Sequence, residues 1–243
     1  MRKIKRFWAV SFILSSFALL IGHGLHAEGA RPLLVELKTL DIYAPKGFDS
    51  NDNVEVVVTG YLPNLCYQAP QAVANVNGKD ITVKLTAMLS ATNVFCPMVI
   101  VPFHVSVSLG MLTSGEYQLK SANGEKKASL MIEEASTAAV DQFIYAQVTS
   151  VESDPTTQKI TLNALNPSFC LEYKGLKLIP SADKKVLSVL PIMEKVKDFC
   201  PLKMVPFSVD FELPPGLVKE NLLLHVRSME GKSVNAIYNQ FLE

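Results

Sequence analysis

Apolar and polar residues alternate with period two along most of the chain, which predicts β-strands rather than helices. Val54, Val56 and Val58 face one way and Glu55, Val57 and Thr59 the other. Ile81, Val83, Leu85 and Ala87 oppose Thr82, Lys84 and Thr86 in the same manner. Val101, Phe103, Val105, Val107 and Leu109 then oppose Pro102, His104, Ser106 and Ser108. Turn residues separate these runs. Asp49 to Asn53 is polar turn material, Asn77-Gly78 predicts a tight hairpin with positive φ at both central residues, and Asn123-Gly124 turns a later hairpin that returns through Leu130 and Ile132. Leu33 to Tyr43 suits an edge strand. Pro102 cannot donate to a ladder, which places its end of the strand at a sheet edge or a bulge.

The pattern occurs twice. Phe95-Cys96-Pro97 and Val101-Pro102-Phe103 return, without a gap, as Phe199-Cys200-Pro201 and Val205-Pro206-Phe207, 104 positions later. Ile160, Leu162 and Ala164 follow the first strand, and Leu187 and Val189 the second. Phe207, Val209, Phe211 and Leu213 oppose Ser208, Asp210 and Glu212. Leu222, Leu224 and Val226 then lead through Glu230-Gly231 to Val234, Ala236 and Tyr238. A roughly helical spacing at Ile192, Lys195, Val196 and Phe199 offers a short helix as the weaker alternative there. Four cysteines permit three connectivities, and an inherited bridge must lie within each copy, which selects Cys66–Cys96 and Cys170–Cys200. About seven strands per roughly 100 residues is the expectation for a sandwich of immunoglobulin size. The predicted fold is therefore all-β: two tandem immunoglobulin-like β-sandwich domains, residues 28–135 and 136–243, each with one internal disulfide. The short join at Ala135 to Val140 predicts that they are packed together.

The N-terminus changes the compartment. Basic residues in Met1–Arg6, an apolar run from Phe7 to about Gly22 and the small residue Ala27 read as a signal peptide over 1–27. Export to the periplasm or beyond agrees with paired cysteines. The whole chain balances 23 Lys+Arg against 23 Asp+Glu, but the leader takes Arg2, Lys3, Lys5 and Arg6 with no acid, leaving a mildly acidic remainder. That charge argues against nucleic acid or an anionic membrane surface as partner, and no second apolar run reaches spanning length.

Gly60-Tyr-Leu-Pro63 with Cys66, Cys96 with Val101-Pro102-Phe103, and Gly115-Glu-Tyr117 with Asn123-Gly124 together resemble a secreted bacterial immunoglobulin-like sandwich module with a paired cysteine and a Pro-Phe strand. The resemblance covers most of residues 54–124 and implies an exported β-sandwich with no catalytic residues to carry over. The second copy keeps the cysteines and the Pro-Phe strand but has Pro214-Pro215-Gly216 and Asn221 where the Gly-x-Tyr element falls.

Candidate chemistry is sparse. His104 and His225 are the histidines beyond the leader, and both read as solvent-facing strand residues, too few for a metal site. Ser181-Ala-Asp-Lys184 has the spacing of a serine nucleophile and lysine base, but it aligns with a hairpin tip, where a solvated lysine stays protonated. No catalytic, metal or cofactor site is assigned. Strict alternation puts Met98, Ile100, Leu202 and Met204 on the outer face as a candidate interface; a bulge near the proline, the plainer reading, returns them to a core. The expected function is non-catalytic: an exported binding or structural protein that engages another cell-envelope protein. The alternatives are a protease inhibitor presenting Leu62 to Gln71 held by Cys66, or an enzyme with a site between the domains.

Overall fold

A strand with one apolar face is stable only when that face meets another sheet, and the computed structural model meets this need with four sheets. It describes residues 32–90, 95–154, 157 and 159–239; the leader at 1–27 lies outside them. No helix occurs among the described residues.

Nine strands occupy residues 33–133: β1 (Leu33–Glu36), β2 (Asp41–Tyr43), β3 (Phe48–Asp49), β4 (Val54–Leu62), β5 (Tyr67–Asn77), β6 (Asp80–Leu89), β7 (Val101–Gly110), β8 (Gly115–Ser121) and β9 (Lys127–Glu133). The larger sheet runs β1-β6-β8-β9-β3 with β5 also on β6, and the smaller runs β2-β4-β7. Their facing sides close one core of Val54, Val56, Val58 and Val107 against Ile81, Val83, Leu119, Leu130 and Ile132. Eight more strands follow: β10 (Ile144–Tyr145), β11 (Gln147–Asp154), β12 (Lys159–Ser168), β13 (Leu171–Pro180), β14 (Val186–Lys195), β15 (Leu202–Glu212), β16 (Leu222–Ser228) and β17 (Lys232–Tyr238). Here the sheets are β10-β14-β16-β17 with β13 on β14, and β11-β12-β15. Their core joins Ile160, Leu162 and Ala164 to Leu187, Val189, Leu222, Leu224 and Val226.

Most inward-facing residues read from alternation belong to the cores or pack against them, Val105 and Val209 being half-buried on the edge strands, and β7 and β15 are edge strands, which accommodates Pro102 and Pro206. Several details differ from the sequence reading. Leu33 to Tyr43 is two strands, because the chain crosses from β6 on one sheet to β4 on the other. The hairpin after β5 turns on Gly78-Lys79, one residue later than Asn77-Gly78: Asn77 still pairs with Asp80, and only Gly78 has positive φ. The helical alternative at Pro191 to Phe199 is overturned, since Pro191 to Lys195 continue β14 and pair with β13.

The two sandwiches meet through sheets. The outer side of β2-β4-β7 lies on the outer side of β14-β16-β17, where Tyr43 and Val57 pack with Val186, Leu223 and Ile237. Residues 134–143 are tied to both: Ala135 donates its N–H to Ser50 Oγ (3.2 Å), Asn51 donates to the Thr137 carbonyl (2.6 Å), and Asp141 accepts from Arg227 (2.8 Å). The described residues accordingly belong to one compact unit.

Candidate functional site

Polar groups surround the apolar patch between the sandwiches. Arg227 on β16 and Asp52 before β4 are both almost fully buried, and Arg227 spans Asp52 and Asp141. Its guanidinium lies 4.8 Å from the Phe48 ring centroid and 5.3 Å from that of Tyr145. Burial pulls the Arg227 pKa down, but the bonds and charge of Asp52, with Asp141 beside it, outweigh this and raise it. The ion pair costs desolvation, so its value is in matching one sandwich to the other more than in net stability.

Beside it, Glu55 accepts from Ser233 and from Asn235 (2.7 Å) and lies 3.4 Å from His225 Nδ1. Asn235 also donates to Ser106 Oγ (2.9 Å). The expectation for His225 is corrected: it is 0% exposed, against Phe48 at 5.4 Å between ring centroids, because its strand is covered on both sides. Burial pushes the Glu55 carboxyl up, but hydrogen bonding and attraction from His225 and bonds from Ser233 and Asn235 prevail and hold it at about 2. A carboxyl depressed from 4.5 to about 2 stabilises the fold above pH 4.5 and loses that contribution as pH falls through 2. Glu55→Gln is therefore expected to flatten the decline in unfolding free energy between pH 4.5 and 2; an unchanged slope in denaturant titrations contradicts this role.

Where the interface opens to solvent it leaves a cleft of about 610 Å3. Leu40, Asp41 and Tyr43, Thr59 and Gly60, and Pro102 to His104 line one wall. Lys185, Val218, Glu220, Asn221, Ile237 and Asn239 line the other. Lys185 donates to Asp41 (2.7 Å), and the Tyr43 hydroxyl donates to the Asn221 carbonyl (2.9 Å). Burial, with the nearby charge of Asp41, pushes the Tyr43 phenol up to about 12. His104 is exposed on β7, as expected, and stands on the cleft wall.

A different surface surrounds the disulfides. Cys66 is bonded to Cys96 and Cys170 to Cys200, each pair with Cα atoms 5.5 Å apart. The first bridge joins the turn between β4 and β5 to residues 95–100, and Leu65 donates its N–H to the Pro97 carbonyl (3.2 Å). In the second, Val196 donates to the Cys170 carbonyl (2.7 Å). Phe95 and Phe199, next to the bridges, are 87% and 95% exposed.

Of the candidate interface residues, Met98 and Ile100 follow Cys96 on this surface. Met98 and Ile100 precede β7, so no strand parity governs them, and they are 81% and 66% exposed. Met204 lies within β15 at 48% exposure, on the rim of a smaller pocket with Met229 and Val234. The return to a core is thus overturned for these three. The β7 register is unbroken at Pro102, and the shift in β12–β15 pairing between Asn166 and Ser168 leaves Met204 outside. Leu202 opens β15 opposite Ser168.

The remaining candidates do not converge on a reactive centre. Ser181 donates to Asp183 Oδ1 (2.6 Å) and accepts the Val186 N–H (2.9 Å), so its hydroxyl closes the turn from β13 to β14. Leu62 ends β4 and Tyr67 already starts β5, which leaves a tight turn at Cys66 rather than a long projecting loop. Among the described residues no three His, Cys, Asp or Glu side chains group to hold a metal. Asp52, Glu55, Val57, Arg227 and Asn235 were not singled out from sequence. The available signal was the unbroken apolar character of Val186-Leu187 and Val189-Leu190 and of Leu222 to Leu224, which marks strands covered on both sides.

Residues 56–132, from β4 into β9, match the model of a family described as the ORF11 beta-sandwich domain. No curated protein and no solved structure matches the chain. The match and the strand layout agree on a β-sandwich module, within which Cys66 is bonded to Cys96.

Proposed function

We propose that the protein is an exported, non-catalytic binding protein, made of two tandem immunoglobulin-like sandwiches, that engages another cell-envelope protein through its disulfide-held apolar loops. The carrying observation is the exposure of Phe95, Met98, Ile100 and Phe199 on segments tied down by Cys66–Cys96 and Cys170–Cys200. Large apolar side chains grouped on the surface of a folded chain mark contact sites, and a pinned loop loses less entropy on binding. Both bridges suit an oxidising, extracytoplasmic compartment. The repeat spacing of 104 supports the duplication, and the copies diverge where burial differs: Val186 and Ser188 in the covered sheet stand 104 positions after Thr82 and Lys84.

The test is affinity capture from envelope extract with wild-type protein and with the double variant Phe95→Ser/Phe199→Ser. One defined protein is expected on the wild type and lost on the variant, with melting temperature unchanged because both side chains are almost wholly exposed. Equal capture by both forms, or none by either, counts against the loops as the contact surface.

A further inference from the structure

The two bridged ends differ in charge. Around the first bridge, residues 56–78 and 85–115 contain no Asp, Glu, Lys or Arg. Around the second, Glu194, Lys195, Lys197, Asp198 and Lys203 flank Phe199 and Cys200. Val94 and Val99 stand 104 positions before Asp198 and Lys203, so one copy is apolar where the other is charged. Those charges take up the second surface: Lys195 pairs with Asp198 (3.0 Å), and Lys203 lies 5.6 Å from the Phe169 ring centroid.

At the first end β4 and β6 finish where β5 and β7 begin, since Leu62 pairs with Val101 and Leu89 with Tyr67. Ser90 donates its N–H to the Cys66 carbonyl (2.9 Å), and Leu65 donates to Pro97 across the bridge. These bonds and the Cys66–Cys96 bridge gather Leu65, Met88, Phe95, Met98, Val99 and Ile100 at one end, all six exposed. Charges on the neighbouring chain are engaged with one another: Glu36 pairs with Lys84 (3.1 Å) and Lys38 with Glu125 (3.3 Å). His104 is the only histidine of the charge-free segments, and it stands on the wall of the cleft between the sandwiches.

We propose that docking belongs to this first end alone, and that the partner protein meets it with an apolar, uncharged surface. The inference rests on the binding role proposed above and narrows it to one of the two bridges. At their observed exposures the six side chains present about 700 Å2, close to the roughly 800 Å2 that each partner gives to a standard interface. A charged group of the partner set against them would lose its water and find no counter-charge, which excludes ionic recognition. A bilayer fits less well, because a membrane-binding tip carries Lys or Arg beside its apolar residues to meet the headgroups, and these segments have none. Phe95 supplies a rigid aromatic anchor, and Met88 and Met98 supply adaptable surface around it.

Affinity capture from envelope extract with the full chain tests this, using Phe95→Ser, Phe199→Ser and Met98→Lys at about 0.1 M and about 1 M salt. Wild type and Phe199→Ser are expected to retain the same protein at both salt concentrations. Phe95→Ser and Met98→Lys are expected to lose it by about tenfold or more, with melting temperature unchanged because both positions are exposed. Capture that survives Phe95→Ser, falls equally with Phe199→Ser, or collapses in high salt overturns this inference and leaves the binding role standing. No capture by the wild type defeats the binding role, and this inference with it. Sedimentation of the purified wild type as a dimer that Phe95→Ser dissociates makes a second copy the occupant, and likewise overturns the proposal.

Discussion

Arg227→Leu is expected to lower unfolding free energy by about 3–5 kcal/mol, because it strands two carboxylates in a site built for a cation. Asp52 keeps only 3% of its side-chain surface exposed and Asp141 15%, so neither is rescued by solvent. For a chain of this size the loss corresponds to a melting temperature lower by on the order of 10 °C. The companion variant Asp52→Leu/Arg227→Leu separates the cost of an orphaned charge from the worth of the pair. It removes both partners of the closest contact, and its stability is expected to recover by at least half. Denaturant titrations of the single and double variants read this directly. A single-variant loss below about 1 kcal/mol means that the site relaxes or admits water, against the buried-pair account.

Loss of either disulfide is the second large effect. Each bridge closes a separation of 30 residues, which in the chain-entropy model stabilises by roughly 3–4 kcal/mol through restriction of the unfolded chain. Cys66→Ala/Cys96→Ala and Cys170→Ala/Cys200→Ala are each expected to lose that amount in denaturant titrations. Removing both bridges together approaches the whole stability of a typical domain, about 5–15 kcal/mol. The apolar loops beside Phe95 and Phe199 are then released, so aggregation is expected to set in on reduction. Pairs lost with little change in midpoint refute the entropic account.

His225 and Val57 show where the sequence reading stopped. Both lie on the polar side of a correctly read strand, and both are 0% exposed. Their neighbours Val58, Leu224 and Val226 were assigned to the core, and the core contains them. The error lay in treating the opposite face as solvated. Met98 and Ile100 failed in the other direction, since an extended segment before β7 carries apolar residues that no sheet covers.

By itself the sequence determined most of the strands and their inward faces, the pairing of Cys66 with Cys96 and of Cys170 with Cys200, and an edge or a bulge at Pro102. These follow from local rules: side chains alternate along a strand, and proline lacks a donor. Only the tertiary structure decided that β2-β4-β7 lies on β14-β16-β17, that Arg227 meets Asp52 across 175 positions, and that the junction leaves a cleft. Period two distinguishes the two faces of a strand but does not encode whether the second meets water or another sheet, and a charge pair distant in sequence leaves no periodic trace.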